Sequence, residues 1–153
     1  MKKKPYIIAL VFFIIDLISK QIITHALELN KSIKLIDNFF YLTYTHNEGA
    51  AWSILKDQRI LLLILTVIVL FVINKILNKE ELGKIETLSY GMIVGGIVGN
   101  FFDRLVYGYV IDFLDFNLFG YNYPIFNLAD SFIVIGIIIL IISNIKKEKI
   151  WKK

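Results

Sequence analysis

Residues 99–113 read GNFFDRLVYGYVIDF and follow the apolar run LSYGMIVGGIV, which looks like part of a membrane span. The stretch carries Asp103, Arg104 and Asp112 at a depth where lipid would be expected. A charged side chain at the centre of a bilayer costs about 3 kcal/mol on insertion scales, and more in simulations. Ionisable groups in such a place are therefore candidates for function, provided that a partner can be named for each.

The composition indicates a membrane protein. Of the 153 residues 57% are hydrophobic, and the mean hydropathy is +0.67, well above a soluble domain. Cysteine is absent, which excludes disulfides, thiolate metal sites and a cysteine nucleophile. The two histidines, His25 and His46, are too isolated for a His-rich metal site. We expect neither a metal nor a cofactor, and no nucleic-acid partner.

Four apolar segments are predicted to form transmembrane helices, at about residues 6–23, 60–77, 88–105 and 129–145. At about 1.5 Å per residue each can just cross a ~30 Å hydrocarbon core. The first segment also resembles a signal peptide, but Asp16 and Lys20 interrupt it and no small-residue cleavage site follows, so we expect a retained helix. The prediction is a mainly α, polytopic four-helix bundle that forms one domain over residues 1–153.

Lysine clusters orient the predicted bundle. They precede the first span, lie in the connection between spans two and three, and follow the fourth span: Lys2, Lys3, Lys4; Lys75, Lys79, Lys84; Lys146, Lys147, Lys149, Lys152, Lys153. Four crossings place all three clusters on one side, which the positive-inside rule makes cytoplasmic. Both termini are then cytoplasmic, and the loops 24–59 and 106–128 face outward.

The loop 24–59 is too long for a simple turn. Its core, IKLIDNFFYLTYTHNEGAAWSIL at residues 33–55, is rich in Ile, Phe, Tyr and Thr, which favour strands. We expect a small extracytoplasmic β-rich subdomain at the outer membrane surface. The alternative is an amphipathic loop that merely caps the bundle.

The first span contains its own candidate ion pair. Asp16 and Lys20 are four residues apart, so they share a helical face and can pair. Pairing lowers the burial cost of both groups. A bridge that fixes helix packing and a direct part in chemistry both remain open for them.

The third span combines small and polar residues. Gly95, Gly96 and Gly99 allow another helix to approach closely. Asn100 and Arg104, four residues apart, project to one side of the same helix, whereas the adjacent Asp103 cannot face the same way. For Asp103 a functional part and a locally paired interfacial charge remain open.

Two carboxylates flank the second outward loop. Asp112 lies in the extended piece YVIDFLDF, and Asp130 follows Asn127, a candidate N-cap of span four; Asp115 is expected to be merely solvated. If the first two converge, they cannot both ionise cheaply and share a proton. One can then take a proton from water while the other protonates a leaving amine, which amounts to amide hydrolysis without a covalent intermediate.

Five blocks of the sequence resemble the bacterial lipoprotein signal peptidases, signal peptidase II. In order they are DLISK at 16–20, NEGAAWS at 47–53, GGIVGNFFDR at 95–104, VIDF at 110–113 and PIFNLAD at 124–130. Any one of these blocks would be weak evidence alone. Together, in this order and on four predicted spans, they are very specific. One departure is Leu17, where the family often has Gln.

The resemblance implies an intramembrane aspartic peptidase of the bacterial cytoplasmic membrane. Such an enzyme removes the signal peptide of prolipoproteins by cleaving before a diacylglyceryl-modified cysteine. The resemblance assigns the catalytic dyad to Asp112 and Asp130. The substrate-binding or supporting residues that it implies are Asp16, Lys20, Asn47, Gly49, Asn100, Arg104, Asn127 and Ala129. It further implies an active site near the extracytoplasmic face, contact with membrane lipids and inhibition by globomycin. A monomer could house the whole site, and we expect one.

Two other functions compete with this interpretation. A small proton-coupled transporter could use Asp16, Lys20, Asp112 and Asp130 as a relay, although the sequence has no inverted repeat. A non-catalytic membrane scaffold would use the glycine-rich span for packing, but it leaves Asp112 and Asp130 unexplained.

Overall fold

The computed structural model describes residues 3–49, 54–79 and 81–151, with side chains through Lys146. The elements are α1 (Lys4–Ala26), β1 (Ser32–Ile36), β2 (Phe40–Asn47), α2 (Arg59–Lys79), α3 (Lys84–Val106), β3 (Val110–Leu118), β4 (Tyr121–Asn122) and α4 (Leu128–Trp151). The predicted fold class, a mainly α four-helix membrane protein with a small β-rich part, is confirmed. Residues 50–53 of the NEGAAWS block, Lys2, Lys152 and Lys153, and the side chains of Lys147 and Lys149 lie outside the described part.

Each helix contains a segment long and apolar enough to cross a membrane, and each predicted span lies within one helix. The helix α3 differs from the others: its most apolar window has a mean hydropathy of only 1.2, compared with 2.1 to 2.9 elsewhere, and 56% of it is buried. It packs mainly against α1 and α4, and less against α2. A central helix need not be apolar all round, because its neighbours shield it from lipid. The polar residues of the molecule therefore concentrate on and around α3.

The glycines of α3 explain how its neighbours come so close. A side chain at Gly95 would collide with the backbone of Ala9 in α1, and one at Gly96 would collide with the carbonyl of Ala129 in α4. The α4 side of the α3–α4 contact also has a glycine: a Cβ at Gly136 would come within 2.9 Å of the Ser89 carbonyl oxygen of α3. Small residues are what allow two helix backbones to pack at such short range in a membrane. The expectation drawn from GGIVG therefore agrees with the observed packing.

The strands form one antiparallel sheet in the order β1-β2-β3-β4. The β-rich character expected of loop 24–59 appears as β1 and β2, and the sheet also takes in β3 and β4 from loop 106–128. Residue Thr45 of β2 pairs with Asp112 of β3. The first four residues of β3 are buried, whereas all five of β1 are exposed. The sheet thus runs from the protein interior outward.

A short turn joins α3 to β3. Gly108 adopts φ +91°, a conformation that favours glycine, and the Tyr107 N–H donates to the Asp103 carbonyl at 2.8 Å. Arg59, the first residue of α2, donates from Nε to the Arg104 carbonyl at 2.7 Å. Its Nη2 donates to the Leu105 carbonyl at 2.8 Å, so one guanidinium satisfies two carbonyls at the end of α3. The connection from the polar end of α3 to Asp112 is therefore short and held by hydrogen bonds.

We expect Gly96→Val to destabilise the protein by about 1–3 kcal/mol, because the new side chain must displace the backbone of α4. The measurement is thermal unfolding of the purified protein in detergent micelles. The control is Val67→Leu, which enlarges an exposed position of α2 and should leave the transition within experimental error. An unchanged transition for Gly96→Val would contradict the close α3–α4 contact.

Candidate active site

Asp112 is buried at the inner end of β3, with 1% of its surface exposed. Its Oδ1 accepts a hydrogen bond from Asn127 Nδ2 at 2.7 Å, and its Oδ2 accepts one from Asn47 Nδ2 at 3.0 Å. Burial, foremost, and the nearby carboxylate of Asp130 raise the pKa of Asp112 to about 7, against the hydrogen bonds that lower it. At neutral pH this carboxyl group therefore holds a proton a large part of the time.

Asp130 lies in the first turn of α4, as the sequence predicted. Its Oδ1 accepts a hydrogen bond from Asn100 Nδ2 at 2.7 Å. Its backbone N–H donates to Asn127 Oδ1 at 3.0 Å, so the predicted N-cap is present in the structure. The positive end of the helix dipole favours a carboxylate at this place.

Asn127 links the two carboxyl groups. Its Nδ2 donates to Asp112, while its Oδ1 accepts from the backbone of Asp130 and its own N–H donates to Asp130 Oδ2 at 3.4 Å. The side chain itself is fully buried. Both carboxyl groups therefore accept hydrogen bonds from the same residue.

Beneath this pair lies a buried ion cluster centred on Lys20. Its Nζ lies 2.7 Å from Asp16 Oδ2 and 2.9 Å from Asp103 Oδ2, and it donates to Asn100 Oδ1 at 3.1 Å. All of the charged members are about 1% exposed. The predicted Asp16–Lys20 pair is present, and it includes a third charged residue. Asp103 thus faces Lys20.

The two carboxylates of the cluster also bind backbone. Asp16 Oδ1 accepts from the Ala129 N–H at 2.9 Å, in the first turn of α4. Asp103 Oδ2 accepts from the Ile111 N–H at 3.1 Å, one residue before Asp112. Asp16 therefore links Lys20 to the start of α4, which carries Asp130. Asp103 links Lys20 to β3, which carries Asp112. Asp103, whose part the sequence left open, thus contacts both Lys20 and the backbone of β3.

Arg104 binds the loop that follows the strand β2. Its Nη2 donates to the Gly49 carbonyl at 2.7 Å, and Asn47 Oδ1 accepts from the Gly49 N–H at 2.9 Å. Among the described residues, Arg104 Nε is the buried side-chain polar atom without a hydrogen-bond partner. The guanidinium thus positions the loop after β2 and keeps one donor available.

One expectation about a neighbouring residue is wrong. Asp115 was expected to be merely solvated, but it is half-buried and its Oδ2 accepts from Thr43 Oγ1 at 2.6 Å. The reason is the pairing of β2 with β3, which brings a hydroxyl group to this face of the sheet. Asp115 therefore supports strand pairing rather than the carboxyl pair.

A cavity of about 660 Å³ opens beside the carboxyl pair, within the size range of ligand sites. Its polar end is formed by Asn47, Asn100, Arg104 and Asp130, and the rest of its lining is largely apolar. In the described part of the chain, no group of three or more His, Cys, Asp or Glu side chains could hold a metal ion. The site thus offers carboxyl, amide and guanidinium chemistry next to an apolar surface.

These features define a class: a multi-pass membrane protein with two coupled carboxyl groups beside an apolar cleft. Residues 8–146 match the family signal peptidase (SPase) II. The chain belongs to this family, which consists of aspartic peptidases that cleave lipoprotein signal peptides.

Two solved structures of bacterial membrane enzymes, obtained by the in meso method at 2.3 Å and 1.9 Å resolution, are similar to the chain. The first is 35% identical with a TM-score of 0.86, and the match covers 94% of this chain and 88% of that one. The second is 36% identical with a TM-score of 0.83, and the match covers 93% and 92% of the two chains. The fold described above is therefore that of known bacterial membrane enzymes.

We expect Lys20→Met to destabilise the protein by about 3–5 kcal/mol, because it leaves two carboxylates buried without their cation. Thermal unfolding in micelles measures the effect. The matched control is Lys34→Met, which removes the cation of a solvent-exposed pair with Asp37. That change should alter stability by less than about 1 kcal/mol. Similar losses in both variants would mean that the buried cluster is not a special determinant of stability.

Proposed function

We propose that Asp112 and Asp130 are the catalytic dyad of an intramembrane aspartic endopeptidase, which removes the signal peptide of prolipoproteins by cleaving before the diacylglyceryl-modified cysteine. The observation that carries the proposal is the convergence of both carboxyl groups on Asn127: its buried side chain donates to Asp112 Oδ1, and its backbone N–H donates to Asp130 Oδ2. Two carboxyl groups that converge on one residue cannot both ionise cheaply, so they share a proton, and a pair with one proton can act as general acid and general base at once.

In the proposed reaction the ionised carboxyl group takes a proton from water as the water oxygen attacks the scissile carbonyl carbon. The protonated carboxyl group polarises the carbonyl oxygen and gives up its proton to it. Collapse of the tetrahedral intermediate then breaks the C–N bond: the leaving nitrogen takes a proton from the carboxyl group that was protonated by water, and one hydroxyl group of the intermediate returns its proton to the other carboxylate as it becomes the product carbonyl. The pair acts as one unit, so the shared proton belongs to both groups rather than to either one.

Arg104 is proposed to bind a carbonyl of the substrate near the cut. Its Nη2 is engaged by Gly49, but its buried Nε has no partner among the described residues. A carbonyl oxygen at that place would satisfy this donor and fix the peptide relative to the dyad. Asn47 then has two tasks, since it binds Asp112 and also the loop that Arg104 holds.

The apolar part of the cavity suits a substrate that arrives in the membrane. Such a substrate is itself a membrane helix, and its diacylglyceryl group adds two acyl chains. We propose that the outward loop 24–59, with its strands β1 and β2, covers this substrate and opens to admit it. Globomycin is expected to compete for the same cleft. Since all the proposed site residues come from one chain, a monomer is expected to be active.

The proposed location is the bacterial cytoplasmic membrane, with both termini in the cytoplasm and the site near the outer face. The distribution of lysine supports this orientation, because Lys75, Lys79 and Lys84 lie at the end of the bundle opposite the sheet. Cleavage would then take place where water reaches the edge of the hydrocarbon region.

The alternative of a proton-coupled transporter would need charges that change partners along a path. Asp16 and Asp103 instead hold backbone N–H groups of α4 and β3 while they bind Lys20. Such fixed contacts favour a structural task for the cluster, and with it the peptidase.

Asp112→Asn and Asp130→Asn should each lower the cleavage rate by at least about 1,000-fold, because the pair loses its acid–base function. The assay uses the purified enzyme with a diacylglyceryl-modified prolipoprotein in micelles. Asp115→Asn is the matched control on the same strand and should keep most of the activity, while thermal unfolding checks that all three variants fold. Full activity in either dyad variant would reject the proposed function.

The cleavage rate should also depend on pH. The pKa of Asp112 is raised to about 7, so the proton is retained below that pH and lost as the pH rises through it. Once both carboxyl groups are ionised the general acid is gone, so kcat/KM should fall on the alkaline side of about pH 7. It should fall again in acid, where both groups are protonated, which gives a bell-shaped profile. A rate that stays level through both limbs is incompatible with a shared proton.

A further inference from the structure

The turn between β3 and β4 has an unusual residue at its tip. Leu118 pairs with Tyr121, so the turn consists of Phe119 and Gly120, with φ +54° and +88°. A two-residue hairpin turn with two positive φ angles strongly prefers Asn-Gly or Asp-Gly. A bulky aromatic residue at a positive φ angle is an outlier, since its Cβ crowds the backbone.

The local contacts of the hairpin do not require a phenylalanine there. Asn117 holds the turn, because its Oδ1 accepts from the Gly120 N–H at 2.8 Å and its Nδ2 donates to Asn122 Oδ1 at 3.0 Å. The Phe119 side chain is fully exposed, at 107% of its reference area. Its backbone strain is therefore not offset by packing within the protein.

The surroundings of Phe119 along the chain are apolar as well. Leu118, Tyr121 and Tyr123 are all more than one third exposed, and no charged residue occurs between Asp115 and Asp130. We refer to Leu118–Tyr121 as the hairpin tip. An exposed aromatic cluster without charges is unfavourable in water and typical of a binding surface.

The cavity shows what lies next to this cluster. Leu118 and Tyr123 line one side of it, and Val134 and Ile135 of α4 line another. Those α4 residues are exposed within the membrane-spanning part of the helix, so they face lipid. The hairpin therefore overhangs the lipid-facing flank of α4, and its apolar surface continues the surface that the bilayer already covers.

We propose that the hairpin tip inserts into the lipid leaflet adjoining the sheet, with Phe119 as its anchor. Aromatic side chains favour the headgroup level of a bilayer, and phospholipid there would cover the exposed ring. Because β3 runs without a break from the tip to Asp112, the anchor fixes the depth and tilt of this strand. This inference concerns lipid contact and does not depend on the proposed peptidase chemistry.

The absence of cysteine from the sequence allows a direct test. Phe119→Cys is labelled with an environment-sensitive fluorophore, and the full-length protein is reconstituted in phosphatidylglycerol–phosphatidylethanolamine vesicles. Lipids with a nitroxide in the headgroup region or the upper acyl chain, and aqueous iodide, serve as quenchers. The matched control is Asp37→Cys, in the exposed turn between β1 and β2.

The label at position 119 should be quenched by the lipid nitroxides and protected from iodide, and the label at position 37 should show the opposite. Equal access of iodide to both labels would overturn the proposal. Protection from both quenchers at position 119 would overturn it too, because the ring would then contact protein, such as a second copy of the chain.

A second variant separates anchoring from folding. Phe119→Asn suits the positive φ angle, so its unfolding temperature should be equal to or higher than that of the parent. For this test the fluorophore is attached to Tyr121→Cys instead of position 119. Adding Phe119→Asn to this variant should remove most of the quenching by lipid nitroxides, whereas adding Phe119→Trp should preserve it. Unchanged quenching in the Phe119→Asn background would show that Phe119 is not the anchor.

Discussion

The structure depends on one buried cation, the ammonium group of Lys20. Two carboxylates and an amide oxygen surround it, and all three partners also bind elements of the site: Asp16 binds the start of α4, Asp103 binds β3, and Asn100 binds Asp130. A single buried charge in a bilayer is expensive, but a charge shared among such partners brings three helices and a strand into one fixed arrangement. The cluster explains why α3 can be the least apolar helix and still be central.

A second residue, Asn127, positions the carboxyl pair next to this cluster. It begins α4 as an N-cap and at the same time donates to Asp112 of β3. A helix start and a strand start are thus joined by one side chain, and each contributes one carboxyl group. Contacts within the chain thus fix both carboxyl groups in place, and groups fixed in this way can stabilise charge at a low cost of reorganisation.

Much of this could be predicted from local sequence. The pairing of Asp16 with Lys20 follows from their spacing, the N-cap follows from the position of Asn127, and GGIVG indicates a close helix contact. The link from Lys20 to Asp103 could not be predicted, because the two residues come from different helices and only the fold aligns them. The three-residue spacing of Asn100 and Asp103 was the available signal, but the sequence analysis grouped Asn100 with Arg104 instead, whereas in the structure Asn100 and Asp103 both bind Lys20. The hydrogen bond of Asp115 and the merging of both outward loops into one sheet escaped prediction for the same reason.

The tight connection between α3 and β3 has a consequence for the length of the chain. Gly108 turns the backbone within a few residues, and the Asp103 carboxylate already holds the Ile111 N–H. Side chains alternate along a strand, so inserting or deleting one residue here would turn Asp112 to the opposite face of the sheet. The turn that ends β1 joins an exposed strand that does not pair with β3. Natural variation in loop length is therefore expected at this outer hairpin, while the α3–β3 connection keeps a constant number of residues.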